Sequence, residues 1–252
     1  MESVDGWTVG RCLEALERRE LSSLELVDAC IGRIEARNGA INAVVAKDYE
    51  RARDAARAAD DARANGTSLG ALHGVPMTVK DSLQTAGLVT TSGSPTLRNF
   101  VPDEDAVVVE RALNAGAIIL GKTNLPIFAG DWQTYNEVYG NTNNPWDRGR
   151  TVGGSSGGSA AALAAGFVPL EIGSDIGGSI RNPAHYCGVY GHKPSHGIVP
   201  GRGHIPGPPG TKAEADLAVV GPMARTAEDL RLGLDVLAGP DALDVPAWSL
   251  DL

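Results

Sequence analysis

The chain has 252 residues, enough to bury roughly 70–75% of its unfolded surface in one core, and its 32 glycines with 5% aromatics suit a loop-rich α/β protein. A net charge of −9 without a Lys/Arg cluster argues against nucleic acid as a partner, and no apolar run approaches the roughly 20 residues of a membrane span. The acidic start MESVDGW lacks the hydrophobic core of a secretory signal, and Cys12, Cys30 and Cys187 are odd in number and widely spaced, so the expectation is a soluble cytoplasmic protein with neither a disulfide framework nor a zinc site.

Residues 1–64 read as a helical N-terminal segment. Ser22 and Glu25 have capping-box spacing, and Leu24, Val27, Ile31 and Ile34 follow as one apolar stripe. The stretch 48–64 is rich in Ala, Arg and Asp with almost no large apolar residue, which predicts a solvated helix closed by Asn65-Gly66. The core then runs over about 70–238. Residues 77–79 form a short apolar strand that delivers Lys80 to its end, followed by Asp81 and Ser82. A helix over about 105–115 carries Val107, Val108 and Ala112, Gly116 stops it, and 117–122 is a second buried strand. This order predicts an α/β fold with a parallel or mixed central β-sheet covered by helices. Residues 131–147 (DWQTYNEVYGNTNNPWD) form a polar-aromatic loop, and 197–210 is a loop dense in Gly and Pro. The segment GPMAR at 221–225 precedes a helix over 226–238, capped by Thr226 with Glu228 and Asp229 in its first turn. No repeat or linker divides the chain, so 1–252 is expected to be a single domain.

At the centre lies 151–181, TVGGSSGGSAAALAAGFVPLEIGSDIGGSIR, with two Gly/Ser loops at 153–159 and 177–179. Between them, 160–165 has top helix propensity, and 167–172, bounded by Gly166 and Gly173, reads as a buried strand. The two loops then meet at one end of a sheet, where backbone N–H groups and serine hydroxyls converge. Three rival readings compete for the first loop. A Gly/Ser linker does not sit between a helix signal and a strand signal. A phosphate cradle lacks the Lys-Ser/Thr ending of a P-loop. The nucleophile-elbow pattern G-x-S-x-G fits 153–157 around Ser155, but an elbow follows a buried strand, and the polar NNPWDRGRTV precedes this one.

Acyl transfer on serine needs a hydroxyl nucleophile, a base to take its proton and donors aimed at the developing oxyanion. Ile176, Gly177, Gly178 and Ser179 supply consecutive backbone N–H groups. Histidine is the usual base, and spacing excludes none of His73, His185, His192, His196 and His204. His192 and His196 sit four apart, but Pro194 between them spoils a helical metal pair, so no metal and no cofactor is expected.

The runs GGSSGGSAAALAAG and GSDIGGSIRNPA, with GVPMTVKD upstream and GPMAR downstream, resemble the amidase signature family of amide hydrolases. The resemblance implies a mixed sheet wrapped by helices and a Ser–cis-Ser–Lys triad. By it, Ser179 is the nucleophile, Ser155 the bridging serine after a cis peptide bond, and Lys80 the base. Ser156 is implied as a supporting hydroxyl, Asp175 and Arg181 as loop-bracing residues, and Ile176, Gly177, Gly178 and Ser179 as the oxyanion hole. A lysine acts as a base only when neutral, so burial must lower the pKa of Lys80. Within the family, 200–210 (PGRGHIPGPPG) is unlike the glutamine-processing subunit of tRNA amidotransferases, and the 131–147 loop looks more like small-amide and nylon-oligomer hydrolases. A stand-alone amidase acting on a small-molecule amide is favoured, with Trp132, Gln133 and Tyr135 as pocket candidates. Family members usually continue beyond the GPMAR helix, so the expectation is a fold lacking its C-terminal part, dependent on that missing half or on a second copy in a homodimer. The competing functions are a catalytically silent remnant, a glutaminase of the kind found in tRNA-dependent amidotransferases, and a Ser-His-Asp esterase using Ser155.

Overall fold

The computed structural model describes residues 6–205 and 215–250. Helices α1 (Val9–Glu17) and α2 (Ser23–Ile41) lead into strand β1 (Val44–Lys47), helix α3 (Tyr49–Ala64) and strand β2 (Pro76–Lys80). Helix α4 (Val107–Asn114) and strand β3 (Ile118–Thr123) follow, then a small hairpin of β4 (Tyr135–Asn136) and β5 (Gly140–Asn141). The central stretch supplies α5 (Gly157–Ala164), β6 (Leu170–Asp175) and α6 (Arg181–Cys187). Strands β7 (Tyr190–Gly191) and β8 (Val219–Ala224) and helix α7 (Ala227–Leu237) complete the described elements.

The larger sheet has the order β1-β3-β2-β6-β8-β7. Strand β2 runs parallel to both β3 and β6, while β1, β8 and β7 pair antiparallel, so the sheet is mixed as expected. Its two faces carry two apolar cores. On one, Val27, Ile31 and Ile34 of α2, Ala52, Ala56 and Ala59 of α3, and Ala160 and Leu163 of α5 are buried with Val44, Ile118, Leu120 and Met223 of the sheet. On the other, Val9 and Leu16 of α1, Val108 and Ala112 of α4, and Leu237 of α7 are buried with Met77, Val79, Leu170, Ile172 and Val220. Alternation along β2 and β6 therefore sends Met77, Val79, Leu170 and Ile172 to the second core. Thr78, Lys80 and Glu171 fall on the opposite, α5 side. A polar track lies buried there.

The local chemistry explains most element boundaries. Ser22 caps α2 through the expected box, accepting from the Glu25 N–H at 3.1 Å while the Glu25 carboxylate accepts from the Ser22 N–H at 2.8 Å. Thr226 caps α7 by accepting from the Asp229 N–H at 3.1 Å, and the Asp229 carboxylate takes the free N–H groups of Val9 and Gly10 at 3.0 and 3.1 Å. Helices α1 and α7 are thus tied through one side chain.

Several expectations shift. Residues 1–64 are not helical throughout, because the four-residue β1 joins the sheet beside β3. The 48–64 helix is solvated only on its charged face; its alanines pack on α2 and the sheet. The strand expected at 167–172 runs over Leu170–Asp175, since Phe167 and Val168 are buried in the turn before it. GPMAR does more than precede a helix, as its first four residues lie inside β8. Of the loop at 197–210, residues 206–210 lie outside the described residues.

Candidate active site

Strands β2 and β6 are parallel neighbours, so their C-terminal ends open on the same edge of the sheet, where α/β proteins place ligands. Lys80 ends β2, and Ser174 and Asp175 end β6. Lys80 and Ser155 have no exposed surface, and Ser179 keeps 4%. The Lys80 Nζ donates to Ser155 Oγ at 2.6 Å and to Ser174 Oγ at 2.9 Å. Burial pushes the Lys80 pKa down to about 7, against the nearby charges of Asp175 and Glu171, which pull it up. A substantial fraction of Lys80 is therefore neutral near pH 7.

Ser155 and Ser156 stand where the first Gly/Ser loop enters α5, and the Gly154–Ser155 peptide bond is cis. The glycines here permit close packing rather than flexibility. A Cβ on Gly158 would lie 2.4 Å from the Asn124 N, and one on Gly157 would lie 2.2 Å from Thr134 Oγ1. The Ser156 hydroxyl bridges to the backbone of Ser174 at 3.3 Å in both directions, and the Ser156 N–H donates to the Ser179 carbonyl at 3.0 Å. Those bonds stitch the first Gly/Ser loop to the second.

The second loop, 176–179, is wound around Asp175. Its buried carboxylate accepts from the N–H groups of Gly178 (2.8 Å), Ile180 (3.0 Å) and Arg181 (3.3 Å). The Arg181 guanidinium adds a two-pronged contact at 3.0 and 2.9 Å. Burial alone would raise this carboxyl; the Arg181 fork and the three N–H donors outweigh it and hold the pKa at about 2. One expected oxyanion donor is lost to this brace, because the Gly178 N–H faces Asp175. Ile176, Gly177 and Ser179 instead line an open cleft of about 360 Å³ with Ala129, Gly130, Asp131 and Trp132.

Of the three pocket candidates, Trp132 lines that cleft and its indole N–H donates to the Gly177 carbonyl at 3.1 Å. Gln133 and Tyr135 are exposed and not among its lining residues; their backbone N–H and hydroxyl, respectively, bond to Asp131 at 3.0 and 3.2 Å. The sequence reading passed over Ser174 and named His204 only as one of five possible bases. Ser174 binds Lys80 directly, and His204 reaches Ser174 Oγ through Nε2 at 2.8 Å. The signal for Ser174 was its place in GSDIGGS, one residue before the loop brace. His204 was one histidine among five.

No described histidine bonds to Ser155 or Ser179, and the 142–153 segment before Ser155 contains no strand, so the elbow geometry of a Ser-His-Asp esterase is not formed. His73 is taken up by the Leu69 N–H at 3.1 Å and the Ala59 carbonyl at 2.8 Å. Among the described residues no group of three or more His, Cys, Asp or Glu side chains is placed to hold a metal ion, and no helix is long and apolar enough to cross a membrane.

A lysine–serine cluster thus lies at the C-terminal ends of parallel strands, beside a cleft lined by a glycine-rich loop. The chain belongs to the amidase family, whose model, Amidase, matches residues 25–249. It is 44% identical over 244 residues to the A subunit of glutamyl-tRNA(Gln) amidotransferase from Chloroflexus aurantiacus, a match covering 97% of this chain and 49% of that protein. Among solved structures, it resembles a bacterial aryl acylamidase of the amidase signature enzymes at 33% identity and a TM-score of 0.89, over 99% of this chain and 51% of that one. It also resembles a structure from a vestigial protein complex bearing on the origins of an s-triazine catabolic enzyme, at 41% identity and a TM-score of 0.87, over 94% and 50% of the two chains. The chain thus spans about half the length of the curated relatives it matches. Both classes weighed from the sequence, the amidases and the glutamine-processing amidotransferase subunits, are among its relatives.

Proposed function

We propose that this chain carries the acyl-transfer site of a serine amidase, with Ser179 as nucleophile, Ser155 as proton relay and Lys80 as base. The observation that carries the reading is the 2.6 Å contact between the fully buried Lys80 Nζ and Ser155 Oγ. Ser179 Oγ attacks the amide carbonyl carbon; its proton passes to Ser155 Oγ as Ser155 gives its own proton to neutral Lys80. The oxyanion accepts from the N–H groups of Ile176, Gly177 and Ser179. Collapse breaks the C–N bond, and the proton on Lys80 returns through Ser155 to the leaving amine. Water then attacks the acyl-enzyme over the same relay, releasing the acid and restoring Ser179. Asp175 and Arg181 hold the donor loop, and Ser156 ties it to the relay serine. The exposed indole of Trp132 at the cleft favours amides with an apolar or aromatic portion.

In this reading the N-terminal segment and the core act as one unit, supported by the pairing of β1 with β3 and by the bond from Asp229 to α1. A second reading, as the glutamine-processing subunit of an amidotransferase, is favoured by the 44% identity to such a protein. A serine-reactive phosphonate followed by peptide mapping tests the site. Labelling is expected on Ser179 and lost in Ser179→Ala. Label on Ser155, surviving in Ser179→Ala, would overturn the assignment. Turnover of anilides set against glutamine, alone and with partner chains, separates the two readings.

A further inference from the structure

The buried polar chain does not end at the lysine. Lys80 Nζ donates to Ser174 Oγ at 2.9 Å, and Ser174 Oγ meets His204 Nε2 at 2.8 Å. We propose that His204 is a positioning residue of the proton relay: its Nε2 accepts the Ser174 hydroxyl proton, which turns a Ser174 lone pair to Lys80 and leaves the lone pair of Lys80 for Ser155. This rests on the serine-amidase reading above.

A neutral amine has two N–H donors and one lone pair, a serine hydroxyl one proton and two lone pairs, and a neutral imidazole one donor and one acceptor nitrogen. If His204 Nε2 carried the proton, it would donate to Ser174, and the Ser174 proton, with no acceptor at the histidine, would be free to turn to the Lys80 lone pair. Ser174 would then compete with Ser155 for that lone pair. If Nε2 is the acceptor, Ser174 donates to it and accepts from Lys80, so the lone pair of Lys80 is free to face Ser155. After Lys80 takes the proton, its ammonium meets hydroxyl oxygens at both contacts, and the Ser174–His204 bond strengthens that acceptance. His204 is half-buried, and burial with the positive charge of Lys80 lowers its pKa to about 3, which favours the neutral ring. The charges acting on Lys80 from the neighbouring strand are Asp175 and Glu171.

The segment bearing His204 is fixed on the same loop that follows the lysine. His204 forms a β-bridge with Leu83, the Ile205 N–H donates to the Ser82 carbonyl at 2.7 Å, and the Gln84 N–H donates to the Gly203 carbonyl at 2.9 Å. Arg202 is paired with Asp241 at 2.6 Å, and Gly203 lies so close to Ala106 that a Cβ would stand 2.5 Å from its Cα. The imidazole is delivered to Ser174 by a built scaffold.

Two measurements test this. In the intact protein with 15N-labelled histidine, the His204 resonances, assigned by their loss in His204→Gln, should show the Nδ1–H tautomer with unprotonated Nε2 down to pH 5. Ser174→Ala should shift the Nε2 signal. An Nε2–H tautomer, or titration near the ordinary 6.5 of histidine, would overturn the proposal. This arm needs no turnover. In the second arm, the rate of phosphonate labelling at Ser179 is followed against pH. His204→Ala should slow it by about 10–100-fold, the range seen when an outer partner orienting a site group is removed. His204→Gln, whose amide oxygen can accept in place of Nε2, should recover most of the rate. Adding His204→Ala to Ser174→Ala should cost no more than about twofold further, because both act through one bond. Equal rates in wild type, His204→Ala and His204→Gln, or a double variant as slow as the product of the singles, would refute the role. Unlabelled wild type would refute the amidase reading, while the spectra would still judge the His204 arrangement.

Discussion

Lys80 shows how one residue is made into a base by its surroundings. It is a cation by sequence, yet it closes an apolar strand and has no exposed surface, and burial lowers its pKa to about 7. Reactivity requires the neutral form, so labelling of Ser179 should be slow in acid and rise through about pH 7 to a plateau. Lys80→Ala should cost on the order of 10⁴-fold and remove that acid limb. His73, His185, His192 and His196 should each be replaceable without matching loss. A histidine variant among those four as slow as Lys80→Ala would show that the base lies elsewhere. The position of Lys80 was legible, since a short apolar run ending in a charge marks a strand end. What could not be read was its company. Ser174 is a polar residue inside a strand, and His204 is 30 residues further along. The spacing of the chain carries no trace of a contact made only when two segments dock.

At the scale of elements, the glycines of α5 and α2 have opposite consequences. A Cβ on Gly158 would press on the Asn124 backbone at 2.4 and 2.5 Å, where nothing flexible can yield. Gly158→Ala should therefore destabilise by about 1–3 kcal/mol in spite of the better helix propensity, and should slow Ser179 labelling by displacing Ser155 and Ser156. Gly32, exposed in α2, meets nothing within 4 Å, so Gly32→Ala should stabilise by up to about 1 kcal/mol with unchanged labelling. Thermal unfolding of both variants reads the difference; the same sign in both would contradict it. Two helix starts were legible from their caps, Ser22 and Thr226, whereas the start of α1, capped by Thr8, was not read. The start of α5 was not legible, because Gly157 and Gly158 have poor helix propensity and are glycine only because a Cβ would clash with Thr134 and Asn124. Strand β8 was hidden for a similar reason. Its Gly221 and Pro222 break a strand pattern, yet a Cβ on Gly221 would stand 2.2 Å from the His192 carbonyl oxygen beside the short β7.

For the whole molecule, each face of the sheet packs an apolar core, and the face toward α5 also buries a polar track whose least satisfied member is Glu171. Its carboxyl is fully buried, and the nearby hydroxyls of Thr78, Thr123 and Ser159 leave neither oxygen with a well-formed hydrogen bond. Burial raises its pKa to about 7, more than those hydroxyls lower it. Between about pH 4.5 and 7 the folded protein thus keeps a proton that the unfolded chain has released. Stability from this group is therefore full below about pH 4.5, falls as pH rises through about 7, and is flat beyond. Asp81, also raised by burial, titrates in the same interval, so the test is a difference between two proteins that share it. Glu171→Gln keeps the shape and cannot ionise. Its stability relative to wild type should increase between pH 4.5 and 7 by on the order of 3 kcal/mol. Lys80, whose pKa is lowered, contributes its own dependence only above about pH 7, and since the Glu171 charge acts on it there, the gap is read below pH 7. Denaturant unfolding of the two proteins across about pH 4.5–7 measures the gap directly. Parallel curves would mean that Glu171 is ionised in the folded protein, its charge compensated by Lys80 at the end of β2 and Lys122, next to last in β3.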